Sequence, residues 1–290
     1  MLLGEFWGTG ASEGIPAPFC RCEVCNEARR IGGKNIRLRS CFRLSEKIMV
    51  DLGADAVVQS MRYGDLTDIE HVLITHTHDD HLNPHMLMEA MWSKKFRKTL
   101  HYYFTEDSFE IVKHWRGSPW ILKGKVSEWE ADGIIAFHQL KFGEVYRIED
   151  IKVTPFRGNH RGNVERYSAM YLLELPDGCK LFYGLDSADY LPETIEALQK
   201  VQIDIFISEA TGGRNFAHSS NHLNLQSVHK LIEQLYCQGT LNNNSRVYLT
   251  HINHGTSHSQ MVECTERMRF PISTTVAWDG LKILQYEENI

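Results

Sequence analysis

The sequence predicts an α/β fold in a single domain, residues 1–290, in which helices cover the faces of sheets. Short apolar runs that are typical of strands alternate along the chain with segments whose apolar residues recur at helical spacing. No internal repeat or low-complexity linker divides them. With 290 residues, of which 42% are hydrophobic, the chain is long enough to bury a large core.

The first half of the chain predicts both element types in turn. A strand at 4–10 enters a glycine-rich turn, and 41–53 reads as a hairpin. Strands are then predicted at 70–75 and 100–105, and helices at 55–64, 83–96 and 106–115. The second helix has Asn83 as N-cap and Pro84 at its first position, where proline is tolerated. Residues 117–150 favour short strands and turns.

The second half continues the alternation. A hairpin at 167–184 turns at Pro176–Asp177–Gly178. Further strands are predicted at 151–158, 203–210 and 246–250, with a closing strand pair in 274–284, and helices at 191–201, 224–239 and 257–268.

Charge and composition exclude some partners. The net charge of −6 argues against a nucleic-acid polymer or an anionic membrane as partner, because both usually require a basic excess. No apolar run approaches the ~20 residues of a membrane span, and the start has no basic segment typical of a signal peptide. The seven cysteines, an odd number with three clustered, fit a reducing cytoplasm better than a disulfide framework. We therefore expect a cytoplasmic protein with a small-molecule substrate.

The segment "LITHTHDDH" concentrates metal-ligand residue types directly after an apolar strand. His76 and His78 are two residues apart, so on extended chain they point the same way and can chelate one ion. Asp80 and His81 follow where the chain turns toward a helix, so they can face a second ion. A solvated polar loop is the alternative, and four candidate ligands within six positions argue against it.

"THTHDDH" matches the H-x-H-x-D-H signature of the metallo-β-lactamase superfamily, and the remaining motifs of that family appear in order. The resemblance implies a four-layer αβ/βα sandwich with two central mixed sheets, and it makes Asp51 an early structural aspartate. It also implies two metal sites that share one aspartate. The first would use His76, His78, His160 and Asp186, and the second Asp80, His81, Asp186 and His251.

Nitrogen and carboxylate ligands of this kind suit Zn²⁺, Mn²⁺ or Fe. Two ions ~3.5–4 Å apart can hold a bridging hydroxide, because metal binding lowers the pKa of water from about 15.7 toward ~7. The ligand set therefore predicts a hydrolase, without choosing the bond that is cleaved. Asp80 is expected to serve both as a metal ligand and as a catalytic residue.

Three cysteines near the start, in "FCRCEVC", form a further candidate site. Together with "FWGTGASEGIP" they resemble the PhnP-like phosphodiesterases of that superfamily, which carry a structural zinc. The resemblance implies that Cys20, Cys22 and Cys25 bind this zinc with His254, three residues after His251. Four such ligands would close a tetrahedron and leave no open position for catalysis. A chance cluster of reduced thiols is the alternative. The implied activity is hydrolysis of a small cyclic or ribosyl phosphate diester.

A leaving group needs a proton, and "NHLNL" resembles a segment of phosphodiesterases in which a non-ligand histidine lies beside the metals. His222 is therefore the predicted general acid, with His218 in reserve. Glu209 in "ISEATGG" would orient the acid histidine, by resemblance to tRNA 3′-processing nucleases. Arg157 and Arg161 flank His160 and could pair with a phosphate, or remain solvated loop charges.

Two other functions stay open at this stage. Hydrolysis of a lactone or carboxylic ester could use the same site. The subgroup also resembles a protein of pyrroloquinoline quinone biosynthesis, which would suggest a binding or oxidative role. Processing of tRNA is disfavoured, because the sequence shows no long arm and no basic patch. The oligomeric state, including a homodimer, is also open.

Overall fold

The computed structural model describes residues 2–92, 98–214 and 221–285. Within them, fourteen strands form two seven-stranded mixed sheets flanked by helices, which confirms the predicted α/β sandwich. The strands are β1 (Leu2–Gly8), β2 (Cys41–Arg43), β3 (Ile48–Val50), β4 (His71–Leu73), β5 (Leu100–Thr105), β6 (Ile135–Leu140), β7 (Tyr146–Ile148), β8 (Ile151–Gly158), β9 (Ser168–Glu174), β10 (Lys180–Gly184), β11 (Ile205–Glu209), β12 (Arg246–Thr250), β13 (Thr274–Val276) and β14 (Lys282–Leu284).

Eight α-helices are described in the same residues: α1 (Glu23–Ile31), α2 (Ala56–Tyr63), α3 (His85–Trp92), α4 (Glu110–Gly117), α5 (Val126–Ala131), α6 (Pro192–Leu198), α7 (Leu225–Cys237) and α8 (His258–Met268). Short 3-10 segments lie at Gly33–Asn35 and Ile121–Gly124. No helix in the described part of the chain has the length and apolar character needed to cross a membrane.

Each sheet is antiparallel at one end and parallel at the other. The first sheet has the strand order β14-β1-β2-β3-β4-β5-β6, and its pairs are parallel from β3 to β6. The second has the order β13-β12-β11-β10-β9-β8-β7, and its pairs are parallel from β13 to β10. The carboxyl ends of parallel strands lie at one edge of a sheet, and that edge positions the site described below.

Strand alternation divides the core into layers. In β4, Leu73 packs between the two sheets, whereas its neighbour Val72 packs under the helices of the first sheet. In β11, Ile207 faces the other sheet and Phe206 faces the helices of the second sheet. Successive side chains of a strand point to opposite faces, so strands covered on both faces must be apolar throughout.

The predicted elements are present, with four differences. Helix α1 was not predicted; it buries Val24, Cys25 and Ala28 on one face. Helix α5 lies where short strands and turns were expected, and it buries Val126 and Trp129 at i, i+3 spacing. The closing strands do not pair with each other, because β13 joins β12 and β14 joins β1. The helix predicted at 83–96 begins at His85, and its last predicted turn falls largely outside the described residues. The single-domain organisation stays a prediction.

Candidate metal centre

The predicted metal ligands come from separate loops that follow strand ends along one edge of the sandwich. The "THTHDDH" segment follows β4, and the other three ligands follow β8, β10 and β12; these are His160, Asp186 and His251. The structure brings all of them together in overlapping groups whose ligand atoms lie within 4.8 Å of one another.

Three histidines form the first group. His76 Nε2 lies 3.0 Å from His78 Nδ1, which in turn lies 3.3 Å from His160 Nε2. His76 also belongs to a group with His81 and Asp186, so the aspartate borders this cluster as well. Burial lowers the pKa of His76 well below its usual value, and the neighbouring His81 lowers it further. A neutral imidazole is the form that binds a metal.

The second group combines two histidines with two aspartates. His81 Nε2 lies 3.2 Å from Asp80 Oδ2 and 2.9 Å from Asp186 Oδ2, and His251 Nε2 lies 3.2 Å from the same Asp186 oxygen. Burial raises the pKa of Asp186, but His251 and His81 outweigh burial and hold that pKa well below its usual range. Asp186 therefore lies between the two groups, where the bridging aspartate was predicted.

Three atoms of this second group are buried without a hydrogen-bond partner: His81 Nε2, Asp186 Oδ2 and His251 Nε2. Burying such polar atoms unpaired is costly, so their convergence fits a site that binds a cation. Bonds of ~2.0–2.1 Å at angles between octahedral and tetrahedral place ligand atoms about 2.9–3.4 Å apart. The 2.9 Å and 3.2 Å separations to Asp186 fit a divalent cation at this point.

Asp51 fixes the orientation of the histidines from behind. It is fully buried at the end of β3, and its carboxylate accepts hydrogen bonds from His81 Nδ1 at 2.7 Å and from the Thr75 backbone N–H at 2.8 Å. The Thr75 hydroxyl lies 3.0 Å from Asp51 Oδ1 and 3.1 Å from His76 Nδ1. We assign the protons to the Nδ1 atoms, which leaves both Nε2 lone pairs free for metal.

Hydrogen-bond acceptors also fix the orientation of the His251 and His160 rings. The Thr211 hydroxyl lies 2.8 Å from His251 Nδ1 and donates to Glu209 Oε2 at 2.6 Å, so it accepts the proton of His251. His160 Nδ1 lies 3.2 Å from the backbone carbonyl of Asn221. In both rings the nitrogen that faces the cluster is therefore the unprotonated one.

Three residues of the centre adopt a left-handed backbone, although none is glycine. Asp51 has a φ of 63°, Asp186 of 47° and His251 of 54°. This conformation is uncommon for non-glycine residues, and aspartate tolerates it better than most. Strain of this kind concentrates at functional sites, where the surrounding structure imposes it. Here Asp51 and His251 lie directly after a strand end and Asp186 lies two residues after one, where the chain turns away from the sheet.

His222 lies at the rim of the site beside the buried Glu209, the pair predicted as the acid and its orienting residue. His222 Nδ1 lies 3.0 Å from Glu209 Oε2 and 3.5 Å from Asp186 Oδ1. Burial lowers the pKa of His222, but the charges of Glu209 and Asp186 outweigh burial and raise it to about 9. Divalent cations bound beside Asp186 would offset part of this rise. His222 also falls in a possible ligand group with His160 and Asp186.

Three further residues were predicted at or near the site: His218, Arg157 and Arg161. His218, the reserve acid, lies outside the described residues. Arg157 does not reach the site, because its guanidinium stacks over the rings of Phe142 and Tyr167. Arg161 is exposed in the loop after His160.

Glu165 is a buried residue of the site that the sequence did not reveal. Its carboxylate accepts hydrogen bonds from the Thr77 backbone N–H and from the Thr77 hydroxyl, both at 2.6 Å. Thr77 lies between His76 and His78, so Glu165 holds the loop that carries both ligands. The contact joins residues 88 positions apart, and a lone glutamate in a polar loop gives no local signal of it.

The three cysteines meet His254 at one end of α1. His254 Nδ1 lies 3.6 Å from Cys22 Sγ and 3.5 Å from Cys25 Sγ, and Cys20 completes the group. A tetrahedron with Zn–S bonds of ~2.3 Å and a Zn–N bond of ~2.0–2.1 Å would place S and N about 3.5 Å apart. The donor set and the spacing therefore fit a zinc ion.

Backbone N–H groups support thiolates at this site. Cys20 Sγ accepts from the Cys22 N–H at 3.4 Å, Cys22 Sγ from the Cys25 N–H at 3.5 Å, and Cys25 Sγ from the Ala17 N–H at 3.3 Å. The Cys22 N–H is the main cause that lowers the pKa of Cys20 to about 7. Burial raises the pKa of Cys25 to about 12, a cost that a bound cation would offset.

Comparison with known proteins gives one family and several related folds. The profile of the family described as "Beta-lactamase superfamily domain" matches residues 46–252. A curated protein of Porphyromonas gingivalis (strain ATCC BAA-308 / W83), named octanoyltransferase, is 22% identical over 297 residues. That alignment covers 98% of this chain and 51% of the other protein, so the chain spans about half the length of this relative.

Among solved structures, a new diphosphatase from the PhnP family has a TM-score of 0.71 and 22% identity, with 98% of each chain covered. Zn²⁺-bound PqqB from Methylobacterium extorquens has a TM-score of 0.73 and 18% identity, covering 97% of this chain and 99% of PqqB. Human tRNase Z, short form, has a TM-score of 0.61 and 17% identity, covering 97% and 98%. At these identities the likeness shows a shared fold.

Proposed function

Because this chain belongs to the beta-lactamase superfamily, we propose that it is a dinuclear metal-dependent phosphodiesterase that acts on a small cyclic or ribosyl phosphate diester. Membership of this family supports the predicted class of metal-dependent hydrolase, and the class, the bond and the substrate together form the proposal. One observation carries the proposal: His222, which is hydrogen-bonded to the buried Glu209, lies beside the two groups of predicted metal ligands. A phosphodiester with an alkoxide leaving group needs such a proton donor.

The two ligand groups would hold Zn²⁺ or Mn²⁺, with Fe as a further option, and the Cys₃His group a structural Zn²⁺. When bound, two divalent ions supply an acidified water and neutralise charge on phosphate oxygens. The protein side chains around them bind the substrate and transfer the proton.

His222 is suited to deliver a proton to the leaving oxygen. Its Nδ1–H bonds to Glu209, so Nε2 is the atom left for the substrate in the cavity that His222 lines. The Glu209 carboxylate is fixed in position because it also accepts hydrogen bonds from the Ser187 N–H at 2.7 Å and from the Thr211 hydroxyl at 2.6 Å. Such an acid contributes ~10²–10⁴-fold to the rate.

The test is a turnover screen on metal-quantified protein. Aryl and alkyl phosphodiesters, cyclic nucleotides and ribosyl cyclic phosphates should be hydrolysed, and lactones, carboxylic esters and thioesters should not. About three metal ions per chain are expected, from the three ligand groups. A protein that cleaves only lactones or esters would replace the proposed substrate class. One metal per chain and no turnover would indicate a binding protein.

A leaving-group series tests His222 itself. His222→Ala should slow alkyl leaving groups about 10²-fold or more and 4-nitrophenolate far less, because 4-nitrophenolate leaves without a proton. The exposed His114→Ala is the matched control and should change neither rate. Equal losses for all leaving groups, together with a lower metal content, would instead make His222 a metal ligand.

A further inference from the structure

The cavity beside the metal ligands has a second wall that takes no part in the chemistry described so far. The cavity has a volume of about 290 Å³, which suits a small substrate. Most of its lining residues belong to the ligand groups or contact them directly. The others are Ala11, Ser12, Glu13 and Asn253, and none of the described lining residues is a lysine or an arginine.

The loop that carries Glu13 is fixed to the segment after His251. The Ile252 N–H donates to the Thr9 carbonyl at 3.0 Å, and the Ala11 N–H donates to the Ile252 carbonyl at 3.1 Å. The His254 N–H donates to Glu13 Oε1 at 3.2 Å. The wall and the ligand histidine therefore belong to one hydrogen-bonded unit, and the position of Glu13 relative to the centre is set by the backbone.

Glu13 keeps capacity to bind a ligand. Its side chain is 29% exposed, and its hydrogen bonds within the described residues come from the His254 N–H and from the Ser12 hydroxyl at 3.4 Å, while His254 Nε2 lies 3.8 Å from Oε1. An ionised carboxylate offers about four acceptor positions, so at least two remain. The Ser12 hydroxyl and the Asn253 amide, which line the same cavity, add neutral hydrogen-bonding groups beside the carboxylate.

This wall has a defined chemical preference. A carboxylate accepts hydrogen bonds from alcohols, and acidic side chains bind ribose hydroxyls in this way in other proteins. The same charge repels a second anionic group of the substrate. We propose that Glu13 determines specificity, so that the enzyme prefers phosphodiesters whose alcohol portion carries free hydroxyl groups, such as a pentose, and disfavours diesters with an additional negative charge. This inference rests on the proposed function.

Three diesters with one leaving group test the preference. Methyl 4-nitrophenyl phosphate has no hydroxyl, the ribose 5-(4-nitrophenyl phosphate) diester adds a pentose, and the carboxymethyl ester adds a carboxylate. The wild type should show a kcat/KM ratio of pentose to methyl substrate of about tenfold or more, the effect of one hydrogen bond to a charged group. Glu13→Gln and Glu13→Ala should reduce this ratio about tenfold and raise the relative kcat/KM for the carboxymethyl substrate.

The controls separate specificity from structure and from the proposed function. Glu23→Gln, an exposed change on α1, should leave the ratios unchanged. If Glu13 only supports His254, both of its variants will lower zinc content and all three rates together, with constant ratios, which overturns the inference. If no diester is hydrolysed, the proposed function fails. The role of Glu13 is then tested alone, by calorimetric measurement of the affinities for ribose 5-phosphate and for methyl phosphate. A ribose 5-phosphate affinity that is equal in the wild type and in Glu13→Gln would overturn the inference about Glu13.

Discussion

Removing the Glu165 carboxylate should loosen the loop that carries two metal ligands. Glu165 is 3% exposed and accepts two hydrogen bonds of 2.6 Å from Thr77. Each hydrogen bond to a charged group contributes about 1.5–3 kcal/mol, so Glu165→Ala should lower the free energy of unfolding by ~3–6 kcal/mol. Glu165→Gln keeps the shape and loses the charge, so about half of that loss is expected.

The assay is urea unfolding of the metal-free protein, followed by a competitive metal titration of the variants that fold. Loss of an outer-shell partner should weaken metal binding about 10–100-fold. Glu174→Gln is the control, because its pairing with Lys152 is at the surface and is worth ~1 kcal/mol at most.

Gly162 gives an independent test of the same contact. A Cβ at this position would lie 2.0 Å from Glu165 Oε1, so Gly162→Ala must displace the carboxylate. It should therefore reproduce part of the Glu165 effect on metal affinity. Unfolding free energies and metal affinities that stay at wild-type values in both Glu165 variants would refute the assignment of Glu165 as the residue that holds the loop.

Three further predictions concern the metals and pH. Cys22→Ser should remove about one zinc per chain and lower the melting temperature, since a structural zinc contributes to folding. The control, Cys237→Ser at an exposed cysteine, should change neither quantity. An unchanged zinc count in Cys22→Ser would argue against the Cys₃His site. His78→Ala should abolish turnover while circular dichroism shows a folded protein, and retained turnover would contradict the dinuclear centre. Burial and the Arg37 charge lower the pKa of His258 to about 4, so between pH 6.5 and 4 the unfolded chain binds the proton and the native protein does not. Stability should therefore fall as the pH falls through this window, less steeply in His258→Gln, and parallel urea-midpoint profiles for the two proteins would rule this out.

Much of the fold followed from local pattern. Apolar runs and turn residues located nearly all the strands, because alternation and turn chemistry act within a few residues. Helix α5 was not predicted because only Val126 and Trp129 form its buried face, and two apolar positions are too few to reveal helical periodicity. The pairing of β13 and β14 was wrong for a different reason: adjacent strands can enter different sheets, and only packing decides which.

The sequence by itself determined the ligand chemistry of "THTHDDH" and of the three cysteines, because those residues lie within a few positions of each other and their spacing limits their geometry. The distant ligands were recognisable only through resemblance to a family. Tertiary structure alone decided that Glu165 hydrogen-bonds to Thr77 and that Glu13 faces the cavity. Each contact depends on loops that approach each other only when the two sheets pack. Side-chain type can suggest chemistry, but contacts between residues far apart in the chain are set by the packed fold.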